Sequence, residues 1–216
     1  KYWALSEKQD FHVIPTDTIS ISIDKDAVLR SGIMLPDSIR HLKGKELKNA
    51  IPDKIYISLK DMRILTKVDM LMLEMLANCN WERPLYMAIS VGEVSKLKFD
   101  HYFVQEGLAF RFTPFDYKKW GNVKGDNNYA IDVERLYENV MNRYKYGGLD
   151  TPGLYLDETT LRTCYYHRRL FAQLAKELIR QGDNTRARKV LAYAEQAVPA
   201  YNVPETYESG SFDIAK

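Results

Sequence analysis

The sequence is short of cysteine, of long apolar runs and of any excess of one charge, and each shortage removes a class of protein. Two cysteines, Cys79 and Cys164, stand far apart and match no metal or redox spacing. They read as buried thiols, which neither demand a disulfide nor exclude an oxidising compartment. Thirty-one Lys and Arg against 29 Asp and Glu give a net charge of +2, too balanced for a DNA or RNA footprint or for a strongly anionic partner. The richest apolar stretch, Val68 to Ala77, is interrupted by Asp69 and Glu74 and has about half the length a helix needs to cross a bilayer.

Site chemistry is equally sparse. His12, His41, His101 and His167 form no His-x-x-x-His pattern, and zinc needs three or four ligands converging at fixed distance, so no metal is expected. Asp24-Lys25-Asp26 and Asp126-Asn127-Asn128 look like pieces of a calcium loop but lack its alternating carboxylates and distal Glu, and they read as turn and cap residues. Gly44-Lys45 lacks the glycine before it and the Ser or Thr after it that a phosphate loop requires, so no nucleotide and no other cofactor is expected.

What is present is a chain of 216 residues with 45% hydrophobic content, enough for one large domain or two small ones. It opens at Lys1 without a secretory signal and closes at Ile214-Ala215-Lys216 in what reads as an unfinished helix, which suggests a fragment of a longer protein. Ile19, Ile21 and Ile23 alternate with polar residues, as do Ile55, Ile57 and Leu59, the period of two that marks half-buried strands of one sheet. Between them a short helix spans Asp26 to Arg30 and ends at Gly32, followed by a broken connection around Pro36, Gly44 and Pro52.

Thr66-Lys67-Val68-Asp69 fits a capping box, and the run to Ala77 is apolar nearly all round, so the expected helix is buried on most sides. Leu85 to Val91 then reads as a central strand covered on both faces and ended by Gly92. Tyr102 to Val104 and Leu108 to Phe112 add extended segments, and Trp120 to Asn128 reads as an edge loop. The alternating order predicts an α/β module over residues 1–128, a mixed sheet with packed helices and parallel strand pairs.

Residues 129–216 read as all-α. Asp132 caps a helix with Val133, Leu136, Tyr137, Val140, Met141 and Tyr144 on one face, stopped by Gly147-Gly148. Asp157 caps a longer helix running to Gly182. Phe171, Leu174, Ala175, Leu178, Ala187, Leu191 and Pro199 then fall on the spacing of a tetratricopeptide unit, in which small residues let two antiparallel helices cross closely. Gly182-Asp183-Asn184 supplies the turn and Ala194 a further close approach. A generic helical hairpin would match the same grid. The unit before it is degenerate, since Gly153 and Asp157 replace its second-helix positions, and Tyr207 to Lys216 reads as the start of the next.

Three stretches, Arg83-Pro84-Leu85-Tyr86-Met87-Ala88, Val104-Gln105-Glu106-Gly107-Leu108-Ala109 and Tyr155-Leu156-Asp157-Glu158 leading to Arg162, precede that hairpin. Together they resemble the C-terminal region of a bacterial multi-spanning membrane protein family, itself similar to eukaryotic membrane-embedded protein O-mannosyltransferases that use lipid-linked sugars. The resemblance implies a periplasmic-facing domain of an inner-membrane protein, attached after the last span and lacking the reaction centre, whose carboxylates in that class lie between membrane helices.

The function expected on this basis is scaffolding: a non-catalytic domain of a glycosyltransferase-like protein whose helical repeats hold a protein or peptide. The alternative is a free-standing repeat adaptor. Arg162, Arg168, Arg169, Arg180, Arg186, Arg188 and Lys189 crowd the hairpin together with Tyr165, Tyr166, Tyr193, Tyr201 and Phe171. Of these, Arg168, Arg169, Tyr165, Arg186, Arg188 and Tyr193 are the candidate partner-binding residues, because aromatic and Arg side chains dominate binding hot spots. A solvated basic face and a packed aromatic core are the blander readings of the same residues. Asp100, His101 and Glu106 form the one conceivable acid/base set, but strand neighbours point to opposite faces, and a bulge around Gly107 accounts for the segment equally well.

Overall fold

The computed structural model describes residues 2–4, 11–60, 62, 64–91, 97, 99–123 and 129–204. Gly92, Asp126-Asn127-Asn128 and the expected next repeat at Tyr207 to Lys216 lie outside the described residues. The chain packs as two compact units, one of residues 1–104 and 110–130, the other of 105–109 and 131–216.

The first unit mixes strands and helices. Strand β1 (Tyr2–Ala4) pairs antiparallel with β2 (Phe11–Val13) and parallel with β5 (Ile64–Leu65). The strands predicted from the isoleucine alternation, β3 (Thr18–Ser22) and β4 (Lys54–Ser58), pair directly with each other, Ile21 opposite Ile55. They run antiparallel, against the parallel order expected, because the link between them is not a single crossover helix. It carries α1 (Lys25–Arg30) and α2 (Gly44–Ala50), and it brings the chain back beside its start. Helix α2 was unforeseen, since the punctuation at Pro36, Gly44 and Pro52 brackets it rather than breaking it.

Helix α3 (Lys67–Asn78) starts at the expected capping box: the Asp69 N–H donates to Thr66 Oγ1 at 3.3 Å, and the Thr66 N–H donates to Asp69 Oδ2 at 2.8 Å. It is not buried on most sides. Leu73 and Leu76 are buried, whereas Leu71 and Met75 are 54% and 58% exposed. The helix packs against β3 and β5 on the side of Leu73 and Leu76, and its opposite flank stays exposed.

The expected central strand at Leu85–Val91 shrinks to β6 (Tyr86–Ala88), which sits at the edge of a four-stranded sheet ordered β6-β8-β7-β9. Tyr86 and Ala88 point outward and are exposed. An apolar run of this length specifies burial only if two faces are covered, and here one is not. Strands β7 (Phe103–Gln105) and β8 (Ala109–Phe112) form a hairpin beside β9 (Ala130–Ile131), with Gln105 to Ala109 at its tip counted in the second unit.

The first core gathers Ile21, Ile55, Ile57, Leu65, Leu73, Phe99, Phe103 and Phe112. Trp81, at φ 61°, stacks on Phe112 with centroids 5.5 Å apart, and its ring N–H donates to the Ser22 carbonyl at 2.9 Å. Those contacts hold a backbone conformation that a bulky residue otherwise avoids.

The second unit begins with α4 (Val133–Glu138), capped by Asp132 as expected, and continues in a π-helical segment, Asn139–Arg143. It ends short of Gly147-Gly148, because the Tyr144 N–H closes the wide turn on the Asn139 carbonyl at 2.8 Å and the chain then turns inward at Tyr144 and Tyr146. Helix α5 (Glu158–Arg180) starts where Asp157 accepts the Thr159 and Thr160 N–H groups. A turn with Gly182 at φ 83° leads to α6 (Asn184–Ala197), capped by Asp183. The two helices form an antiparallel hairpin with Ala175, Ala187 and Ala194 buried at the crossing, between Phe171, Leu174, Leu178 and Val190.

Candidate functional site

The hairpin carries all six candidate binding residues, and helical geometry separates them. Position 168 lies on the stripe of α5 that also carries Phe171, Leu174, Ala175 and Leu178, so Arg168 is drawn inside and is 1% exposed. Its guanidinium donates to the Val203 carbonyl at 2.7 Å and to Glu195 Oε1 at 3.0 Å, tying the segment after α6 back onto α5. Arg168 is therefore withdrawn from the surface expected to bind a partner. A run of arginines reveals charge but not which member finds a carbonyl 35 positions away.

Arg186 is half-buried. Its guanidinium donates to Asp183 Oδ2 at 2.6 Å and to both Glu134 oxygens at 2.8 Å, and it lies over the Tyr137 ring with 5.3 Å to the centroid. The Arg186 backbone N–H and then its side chain hold the Asp183 carboxyl below its ordinary value, and Asp183 and Glu134 push the Arg186 guanidinium further up. Tyr193 is half-buried against Phe171 and Tyr146, at 5.9 and 6.0 Å between centroids. Tyr165 is half-buried, and Arg169 and Arg188 are exposed.

The loop before α5 is clamped from the other end of the hairpin. Asn202 Nδ2 donates to the Leu149 and Thr151 carbonyls at 2.8 and 2.6 Å, and the Tyr201 hydroxyl donates to the Asp150 carbonyl at 2.6 Å. Tyr155, further along the same loop, is the most exposed large hydrophobic side chain among the described residues, at 87%. Tyr155 stood out in the sequence only as part of its motif, and nothing in the sequence singled out Asn202 as a clamp.

The conceivable acid/base set does not act as one. Asp100 and His101 lie in a 3-10 turn, Asp100–Tyr102, rather than on a strand. Asp100 is exposed, and His101 Nε2 is 3.5 Å from Asp116 Oδ2. Glu106, 6% exposed, accepts Arg135 Nη1 at 2.9 Å, while its carbonyl accepts Asn139 Nδ2 at 2.6 Å. A carboxylate fixed this way is an anchor for the hairpin tip. Gly107 beside it has φ 151°, in keeping with the special backbone geometry expected there.

Asp24 caps α1, and Asp26 meets Lys48 Nζ at 2.6 Å, which holds the Asp26 carboxyl below its ordinary value. These acids therefore serve as the cap and turn residues read from the sequence. Gly44-Lys45 opens α2. Among the described residues no group of three or more His, Cys, Asp or Glu is placed to hold a metal ion. Burial pushes the Cys164 thiol up, away from reactivity at neutral pH.

Residues 1–134 match the family model of TMEM260-associated domain 2. The chain belongs to that family. It is thus a domain that accompanies a TMEM260-type membrane protein, in line with the kind of neighbourhood the sequence motifs implied. The match takes in the first unit, the hairpin tip and the start of α4, and the α5–α6 hairpin follows it. No curated protein and no solved structure matches the TMEM260-associated chain. Among its described residues no helix is long and apolar enough to cross a membrane.

Proposed function

We propose that this TMEM260-associated chain is a non-catalytic scaffold of a membrane-embedded, lipid-sugar-using protein O-glycosyltransferase, lying on the non-cytoplasmic face, the periplasm in a bacterium. In this reading the first unit is a support, and the α5–α6 hairpin is a tetratricopeptide-type element that holds an acceptor protein or peptide. The observation that carries it is the hairpin crossing. Ala175, Ala187 and Ala194 are 3%, 2% and 1% exposed, which lets two helices lie as close as a repeat unit of that type requires.

Of the helical residues Arg169 and Arg188 are exposed, with half-buried Tyr165 on the same hairpin and Tyr155 on the clamped loop. Cationic and aromatic groups of this kind favour an acidic or aromatic peptide segment. The buried Arg168 and the tied Arg186 and Tyr193 hold the frame that presents them.

The test has two arms. The purified chain is incubated with a lipid-linked sugar and acceptor peptides, and turnover by the chain alone refutes the reading. In the intact membrane protein, Arg169→Glu with Arg188→Glu raises the acceptor KM about tenfold and leaves kcat in place, the pattern of lost ground-state binding. Unchanged KM removes the hairpin from acceptor recognition.

A further inference from the structure

In the second unit one histidine closes an aromatic cluster. The His167 ring on α5 meets Tyr144 edge-on at 5.9 Å and Tyr146 edge-on at 5.2 Å. Tyr146 in turn packs on Phe171 at 5.5 Å and on Tyr193 of α6 at 6.0 Å. Both phenol groups are occupied. The Tyr144 oxygen accepts the Leu108 N–H at 2.9 Å, and the Tyr146 hydroxyl donates to the Val140 carbonyl at 2.6 Å. His167 Nδ1 is buried and has no hydrogen-bond partner among the described residues.

A bare lone pair survives in such a place at modest cost, but an N–H there leaves a buried donor unsatisfied and a positive charge among rings. We propose that His167 is an acid-operated latch: uncharged, it closes the Tyr144–Tyr146 cluster, and on taking a proton from solvent at Nδ1 it opens the cluster. Opening frees residues 144–146 from α5, and with them the turn at Gly107 and Leu108 that rests on the Tyr144 hydroxyl.

Among the described residues the groups around His167 offer no compensating charge. From the 144–146 segment it faces the two phenols, and from α6 Tyr193 stands behind Tyr146. On α5 itself Cys164 lies one turn before, and the neighbouring Arg168 is turned to Val203 and Glu195. On α4 and the π-helical segment, Glu134 is engaged by Arg186, and Glu138 by Arg143 and Asn142. Arg135 is engaged by Glu106 and Asp132.

Burial pushes the imidazole below its ordinary value of 6.5. The sign follows from that direction. The closed state is fully stabilised above the unfolded value and loses stability as pH falls below it toward the depressed folded value. The stretch below that ordinary value is the range in which histidine switches commonly act.

The test follows the 216-residue chain from about pH 8 to about pH 4.5 by histidine NMR and near-ultraviolet circular dichroism. The His167 resonance is assigned by its absence in His167→Gln. It should titrate below 6.5, the tyrosine signal should fall with the same midpoint, and the far-ultraviolet helical signal should persist. The Leu108 amide, corrected for intrinsic rate, should exchange about tenfold faster in acid. His167→Phe keeps an aromatic ring without a titrating nitrogen and should hold its tyrosine signal through the range.

The proposal is overturned if His167→Phe loses that signal where the native chain does, or if His167 titrates with the tyrosine signal and the Leu108 amide unmoved. Should the Phe variant not fold, coincidence or divergence of the two midpoints in the native chain decides alone.

Discussion

Substituting Gly107 by alanine probes how the tip of the β7–β8 hairpin is held within the second unit. Gly107 has φ 151°, a region that side-chain-bearing residues rarely enter, and an added Cβ would collide with the Tyr144 hydroxyl and lie 3.1 Å from Tyr144 Cζ. Forcing alanine into that backbone conformation costs about 1–3 kcal/mol. Moving Tyr144 aside also breaks its bond to the Leu108 N–H, worth about 1 kcal/mol, so the total destabilisation is about 2–4 kcal/mol.

A double-mutant cycle with Tyr144→Phe separates the two parts. The phenylalanine removes the colliding oxygen and the bond together, so Gly107→Ala should cost about 1 kcal/mol less in that background. Urea unfolding read by the helical far-ultraviolet signal is the assay. Tryptophan fluorescence monitors the other unit separately, since Trp3, Trp81 and Trp120 all belong to it. A Gly107→Ala chain within about 0.5 kcal/mol of the native one, or fully additive single substitutions, would refute the reasoning.

Arg168→Ala should destabilise the same unit by about 2–4 kcal/mol, because it leaves the Val203 carbonyl without its donor and empties a fully buried volume, whereas exposed Arg188→Ala should stay within about 0.5 kcal/mol. Equal effects in thermal unfolding would contradict the assignment of Arg168 as an internal brace. Ala194→Leu should cost about 1–3 kcal/mol by overpacking the helix crossing, with the loss visible in denaturant midpoint rather than slope, and an unchanged midpoint would mean the helices are not in close contact there.

Several local features were legible because their causes lie within a few residues of each other. The capping box of Thr66 and Asp69, the caps at Asp132 and Asp157 and the turn at Gly182 each satisfy backbone groups of their own segment. The alternation in β3 and β4 marks which side chains face inward, and the small residues of α5 and α6 mark where a second helix comes close. From these the α/β module and the helical hairpin follow.

Decisions between distant partners were not legible. Period two says that one face is buried without saying which way the neighbouring strand runs, so the antiparallel pairing of β3 with β4 waited on the path of the chain between them. Apolar runs at α3 and β6 read as buried because hydrophobicity is a property of the residue, while burial depends on what else is close. Leu71 and Tyr86 stay 54% and 49% exposed.

Among the basic residues of the hairpin, sequence determined how much charge the helices carry. Only the tertiary structure separated the inner arginine from the outer ones, because the Val203 carbonyl and Glu195 that hold Arg168 approach it through folding and not through spacing. Likewise the unusual backbone at Gly107 was readable from its place between two strands, but the Tyr144 hydroxyl that demands a glycine there arrives from a different part of the chain. Short-range hydrogen bonds and periodicity are written into neighbouring residues, whereas the match between distant groups exists only once the chain has closed on itself.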